Sequence, residues 1–315
     1  MSKLKSAISA IFSGFLLLLL LCFPSAAKQG ALSNLTLFAL TVLPSVLPCM
    51  IVNLCLISTG ASDALSPITR PLCRLFHLPE NLGGVLCLSL LSGAPTGARL
   101  LQAFELPDKT ALRFLSVATC LSPLYCLSVL GGALGSPWRG LFIYAVQLIS
   151  GFFVGFLYRG HETPPKVMLP GEARVSLPRA LPKAIGGASL SCVTIGGSMA
   201  LFGAIYGILS SIPLEDALHE VTLFFLPKAV LSPLLSGLLE VSIGCQACMD
   251  AALSYPLRLS LLSGLCAFGG LSMTMQVLTF LPQIRLKDYL FQRLLHGGLA
   301  FSLSYFILRF PSVFL

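Results

Sequence analysis

One carboxylate and one guanidinium lie where hydrocarbon is expected. Glu240 sits within Ser236-Gly237-Leu238-Leu239-Glu240-Val241-Ser242-Ile243-Gly244-Cys245-Gln246, and Arg99 closes Ser92-Gly93-Ala94-Pro95-Thr96-Gly97-Ala98-Arg99. Both segments are polar and glycine-rich, and each interrupts an apolar piece, 226–252 and 82–104, near its middle. Lipid offers a broken backbone no hydrogen-bond partner, so such a stretch must be covered by protein or line an aqueous cavity. Interruptions at matching places in two halves of a chain mark a substrate site near mid-membrane depth. The chemistry implied is binding and ion coupling.

At the first interruption Gly93, Pro95 and Gly97 break the helix and free backbone N–H groups, and Ser92 and Thr96 add hydroxyls. The arm that begins at Ala98 aims a helix N-terminus at the protein centre, where aligned dipoles favour an anion. Arg99, in its first turn, has two readings: a bidentate partner for a carboxylate, or a snorkelling boundary residue. Glu240 is flanked by Leu238, Leu239, Val241 and Ile243, surroundings in which a carboxylate must be paired or protonated. We read it as a proton or cation coupling site, ahead of a structural role toward Arg99 or backbone donors. Gln246, and then Ser122, Ser272, Thr274 and Gln276 at two further helix breaks, suit a small polar ligand. Gln147 and Asn53 read as inter-helix glue.

Composition decides the setting of these residues. Of 315 residues, 56% are hydrophobic and 10% charged, with a mean hydropathy of +0.90, so the chain reads as a polytopic membrane protein. Its net charge of +8 is dispersed in short loops with no polybasic block, which argues against nucleic acid and for a topology signal. The eleven cysteines lie mostly in apolar runs and read as small buried thiols. Cys245-x-x-Cys248 has no second pair or neighbouring His to complete a metal set. Lys3 and Lys5 precede an apolar run closed by Ser25-Ala26-Ala27, a signal-peptide pattern. We read it as a retained first helix, because a second long apolar run follows at once.

Spanning segments are expected near 7–27, 31–58, 110–134, 138–158, 184–211, 258–281 and 288–309. The fold class is therefore all-α: about seven transmembrane helices plus two re-entrant hairpins, since an arm such as 82–91 reaches only about 15 Å. With the N-terminus cytoplasmic, this drawing puts only Lys28, Arg139, Lys228, Arg258 and Arg309 outside, five of the twenty Lys and Arg residues. It also makes the hairpins enter from opposite faces, the inverted repeat common in carriers. The halves are 1–159, with hairpin 82–104, and 184–315, with hairpin 226–252, joined by a cytoplasmic Pro-rich linker at 160–183. Residues 62–79 and 212–219 read as interfacial connectors.

No Ser/His/Asp arrangement, phosphate loop or metal spacing of His77, His161, His219 and His296 is visible, so neither enzymatic activity nor a cofactor is expected. At its motifs the chain resembles the YlbJ-type sporulation integral membrane proteins with a nucleoside-recognition (Gate) domain. The matching pieces are 92–99, Leu121-Ser122-Pro123-Leu124-Tyr125, 237–246, Gly270-Leu271-Ser272-Met273-Thr274-Met275-Gln276-Val277 and Arg293-Leu294-Leu295-His296-Gly297, in order along nearly the whole chain. Ala94 and Leu121 depart from the family pattern at the pocket. The resemblance implies a forespore-envelope protein of endospore formers, hairpins similar to those of concentrative nucleoside transporters, and dipicolinic acid as substrate. Our leading expectation is a carrier of a small anionic metabolite, compatible with an oligomer. A non-transporting protein of cortex or envelope assembly and a nucleoside carrier stand as alternatives.

Overall fold

The computed structural model describes residues 2–160, 175–212, 220 and 227–309, and these are helical almost throughout. The expected linker over 161–174 and the connector over 213–219 lie outside the described residues.

Helix α1 (Ser2–Cys22) is followed by α2 (Pro24–Thr59), which carries a π turn at Phe38–Val42. Proline is tolerated in the first turn of α2 because its missing N–H has no helical acceptor there. Helix α8 (Leu177–Ser211) starts within the expected linker for the same reason, with Pro178 in its first turn. At 36 and 35 residues, α2 and α8 are each about 50 Å long and must tilt or project beyond a ~30 Å hydrocarbon core. They run antiparallel in backbone contact: a Cβ built on Gly30 would lie 2.1 Å from the Gly203 carbonyl oxygen, and one on Gly207 would lie 2.3 Å from that of Ala26. Small residues at four-residue spacing permit this approach. Asn34 Nδ2 adds a 3.0 Å bond to the Met199 carbonyl.

After each long helix a hairpin, a broken helix and a straight helix follow in that order. In the first half, α3 (Ser66–Leu75) leads to a hairpin of α4 (Gly83–Ser92) and α5 (Thr96–Leu101). A broken helix follows, made of α6 (Asp108–Ala118) and a π turn at Tyr125–Leu130, and then the straight α7 (Pro137–Leu157). In the second half the hairpin is α9 (Lys228–Leu239) with α10 (Val241–Asp250), the broken helix α11 (Tyr255–Phe268) with α12 (Gly270–Phe280), and the straight helix α13 (Leu286–Arg309).

The two largest hydrophobic cores interlock these halves. One core surrounds the first hairpin yet takes Val277, Phe280, Leu281 and Ile284 from the end of the second broken helix. The other surrounds the second hairpin and takes Cys126, Leu130 and Leu134 from the end of the first. Each broken helix thus starts beside its own hairpin and finishes beside the other.

By length and composition, four helices among the described residues can cross a membrane alone: Pro24–Thr59, Pro137–Leu157, Leu177–Ser211 and Tyr255–Phe280. Outward-facing Phe12, Leu40, Phe153, Leu190 and Val193 are exposed, as lipid-facing residues must be. The protein is an all-α polytopic membrane protein.

Candidate functional site

Each hairpin turns sharply because backbone meets backbone. In the first, the Ala94 N–H donates to the Cys120 carbonyl at 2.7 Å, and Gly93 takes φ of 75° against the break at Leu121–Ser122. A Cβ at Gly93 would lie 2.4 Å from the Ser122 nitrogen. In the second, the glycine is on the broken helix: Gly270, at φ of 79°, lies against the Gly237 and Leu239 carbonyls and the Val241 nitrogen. Each tip is therefore docked on the break of its own half.

The two tips meet around one cavity of about 50 Å³. Its wall takes Ser92, Ala94 and Pro95 from the first tip, Glu240, Val241 and Ser242 from the second, Leu121, Ser122 and Tyr125 from one break, and Met273 and Gln276 from the other. Helices α2 and α8 close it with Val42, Ser45, Val46, Ile195 and Met199.

Of the residues singled out in the sequence, Ser92, Pro95, Ser122, Glu240 and Gln276 line this space. Gly93 forms the docking turn, Thr96 is buried in the first hairpin, and a Cβ built on Gly97 would lie 3.1 Å from the Ser89 side chain. The Thr274 hydroxyl donates to the Gly270 carbonyl of its own helix at 3.0 Å, and Ser272 is bonded to Ser198 on α8.

Two of the expected site residues stand apart from the tip cavity. Arg99 and Gln246 lie away from the cavity, because four and six residues of helix carry them about 6 and 9 Å beyond the tips. Arg99 donates to Ser191 Oγ at 3.0 Å and to Gln102 Oε1 at 3.0 Å, and Gln246 donates to the Asp250 carboxylate at 3.0 and 3.1 Å. Among the described residues, no arginine is bonded to Glu240. Its Oε2 accepts from the Ser242 and Ile243 N–H groups at 2.7 and 3.0 Å, so the carboxylate caps α10. Glu240 is only 3% exposed.

Arg293, 1% exposed, mirrors it in sign. From α13 it donates to the Ala267 carbonyl and, at 3.4 Å, to the Phe268 carbonyl, at the C-terminal end of α11. A buried anion on a helix N-terminus and a buried cation on a helix C-terminus are each stabilised by the dipole end they face. Asn53 and Gln147 are the inter-helix partners expected of them. Asn53 Nδ2 donates to Ser92 Oγ, and Gln147 Oε1 accepts from the Leu121 N–H at 3.0 Å.

Arg99 and Gln246 line two larger chambers. The Gln246 chamber, about 610 Å³, lies against residues 26–37 of α2 and 206–211 of α8. The Arg99 chamber, about 400 Å³, lies against 54–60 of α2 and 183–187 of α8 and also takes in Asp63 and Lys183. The tip cavity touches 42–46 and 195–199, between them on both helices. Leu37 and Leu54 are about 25 Å apart along α2, so chamber, cavity and chamber stand in file. Tyr125 and Ser242 line both the tip cavity and the Gln246 chamber, whereas the Arg99 chamber shares no lining residue with the cavity.

The sequence reading missed Ser45, Tyr125 and Ser242 as lining residues. Ser242 follows Glu240 by two and Tyr125 opens the π turn, so distance from each break was the available signal. Ser45 had none, since α2 passes the site without interruption.

No family model and no solved structure matches the chain. Among curated proteins it is 27% identical over 334 residues to the sporulation integral membrane protein YlbJ of Bacillus subtilis (strain 168), covering 95% of this chain and 82% of that protein. That likeness covers nearly the whole chain and, together with the helical membrane architecture, supports a YlbJ-type assignment.

Proposed function

We propose that this protein is a carrier, not an enzyme, for a small anionic metabolite, with dipicolinate as the first candidate, moved toward the forespore across its envelope during sporulation. The observation that carries this reading is the meeting of two hairpin tips at one cavity, with a larger chamber at each end of the same helix pair. A cavity of about 50 Å³ falls well short of the roughly 300–1,000 Å³ typical of ligand sites, so the tips must part to admit a substrate. Alternating opening toward the Gln246 and Arg99 chambers follows from hairpins that dock on separate breaks.

Arg99 and Lys183 outweigh the single carboxylate of Asp63 in one chamber, and the amides at the start of α10 stand beside the cavity, an arrangement that favours an anion. With the N-terminus cytoplasmic, the Arg99 chamber faces the cytoplasm. Likeness to a sporulation protein supports the setting. A binding screen on purified protein with dipicolinate, succinate and uridine tests the reading. Saturable dipicolinate binding supports it, uridine alone would make the protein a nucleoside carrier, and binding of none would remove the carrier reading.

A further inference from the structure

The anion position at the tip cavity is already taken by the protein itself. The Glu240 carboxylate occupies the Ser242 and Ile243 N–H groups, two of the donors at the start of α10 that an incoming carboxylate would use. From these contacts we propose, resting on the carrier reading above, that Glu240 is a resident stand-in for the substrate carboxylate, so that each anion binds only with the uptake of one proton by Glu240.

The argument is one of occupancy and charge. Two carboxylates cannot share one pair of amide donors in a water-poor cavity, because like charges at contact distance disfavour double ionisation. Protonation of Glu240 Oε2 ends its hold on the two amides, which then re-form their bonds to a substrate oxygen. The proton comes from the Gln246 chamber, which meets the cavity at Ser242 and Tyr125. It remains on Glu240 while the anion is bound and leaves with it.

A second feature points to a ligand at the same place. Gln276, 4% exposed, lines the cavity and gives one amide hydrogen to Ser272 Oγ at 3.3 Å, and among the described residues nothing donates to its carbonyl oxygen. That oxygen is placed to accept from a protonated carboxyl group. The titratable group that lines the cavity with Glu240 is Tyr125 of the π turn, and Cys245 of α10 and Cys266 of α11 lie near Tyr125. Among the described residues lining the cavity, no cation is present to hold Glu240 ionised in their place.

The test measures protons directly. Dipicolinate is added to purified wild-type protein in weakly buffered detergent solution, and an indicator dye counts protons taken up while calorimetry counts anions bound. Above the pH at which Glu240 ionises, we expect about one proton per anion and a Kd that weakens about tenfold per pH unit. Glu240→Gln, verified as folded by its melting curve, binds with no proton uptake and no pH slope. If that variant does not fold, the wild-type proton count still decides. Binding without proton uptake overturns the proposal and leaves the carrier reading standing, whereas no dipicolinate binding down to about pH 5 overturns the proposal together with dipicolinate as the substrate.

Discussion

Gly244 and Gly237 touch across the second hairpin: a Cβ added to Gly244 would lie 2.3 Å from the Gly237 Cα and 2.6 Å from its nitrogen. The return arm folds back at Glu240 because neither residue has a side chain, and the tip then sits against Gly270. Backbone cannot yield as a flexible side chain can, so Gly244→Val is expected to abolish accumulation of folded protein. Gly186→Ala, at a site with nothing within 4 Å, leaves yield and melting temperature unchanged. Size-exclusion profiles of the two variants check this.

Arg99 and Glu240 share no hydrogen-bond partner and line different spaces. Arg99→Gln and Glu240→Gln should therefore act independently. In a double-mutant cycle on dipicolinate binding, their effects add to within about 0.5 kcal/mol. A larger coupling energy would mean that the two charges meet in another conformation.

The opposed chambers predict sided chemistry. Cys22 and Cys49 are exposed and the other nine thiols are buried, so replacing those two gives a quiet background. In right-side-out and inside-out vesicles, a membrane-impermeant maleimide is expected to label Arg99→Cys from one face and Gln246→Cys from the other. Labelling of both from the same face contradicts the inverted arrangement.

Outside the membrane region, Glu80 accepts from Arg74 Nε at 2.8 Å and pairs with Arg70 at 3.3 Å. The Arg74 hydrogen bond chiefly, and the charges of Arg74 and Arg70 after it, hold its carboxyl below the usual carboxylate range. A depressed value in the folded state means that the contribution is present above the ordinary carboxylate pKa and lost as pH falls through the lowered one. All three side chains are well exposed, so Glu80→Gln is expected to leave the melting temperature almost unchanged near neutral pH and to remove a small acid-side slope. Melting curves across the acid range check it.

Much of this fold was legible because each breaking residue has a local cause. Gly93 and Gly270 at positive φ, Pro95 at a tip and the Glu240 cap all act within a few residues of chain. The paired hairpins and broken helices could be drawn from them. The site itself was legible only in part. Whether Arg99 faces Glu240 or Ser191 depends on how helices 92 residues apart in sequence pack, and no local pattern encodes that. The exchange of broken-helix ends between the two cores was hidden for the same reason, as was Ser45 on an unbroken stretch of α2.

Uptake by proteoliposomes tests the central claim most directly. Purified protein is reconstituted, labelled dipicolinate is added outside, and the initial rate is followed with and without an outside-acid pH gradient. The account predicts saturable uptake above that of protein-free vesicles, accelerated by outside acid and lost in Glu240→Ala. A rate equal to that of protein-free vesicles under every gradient would contradict it.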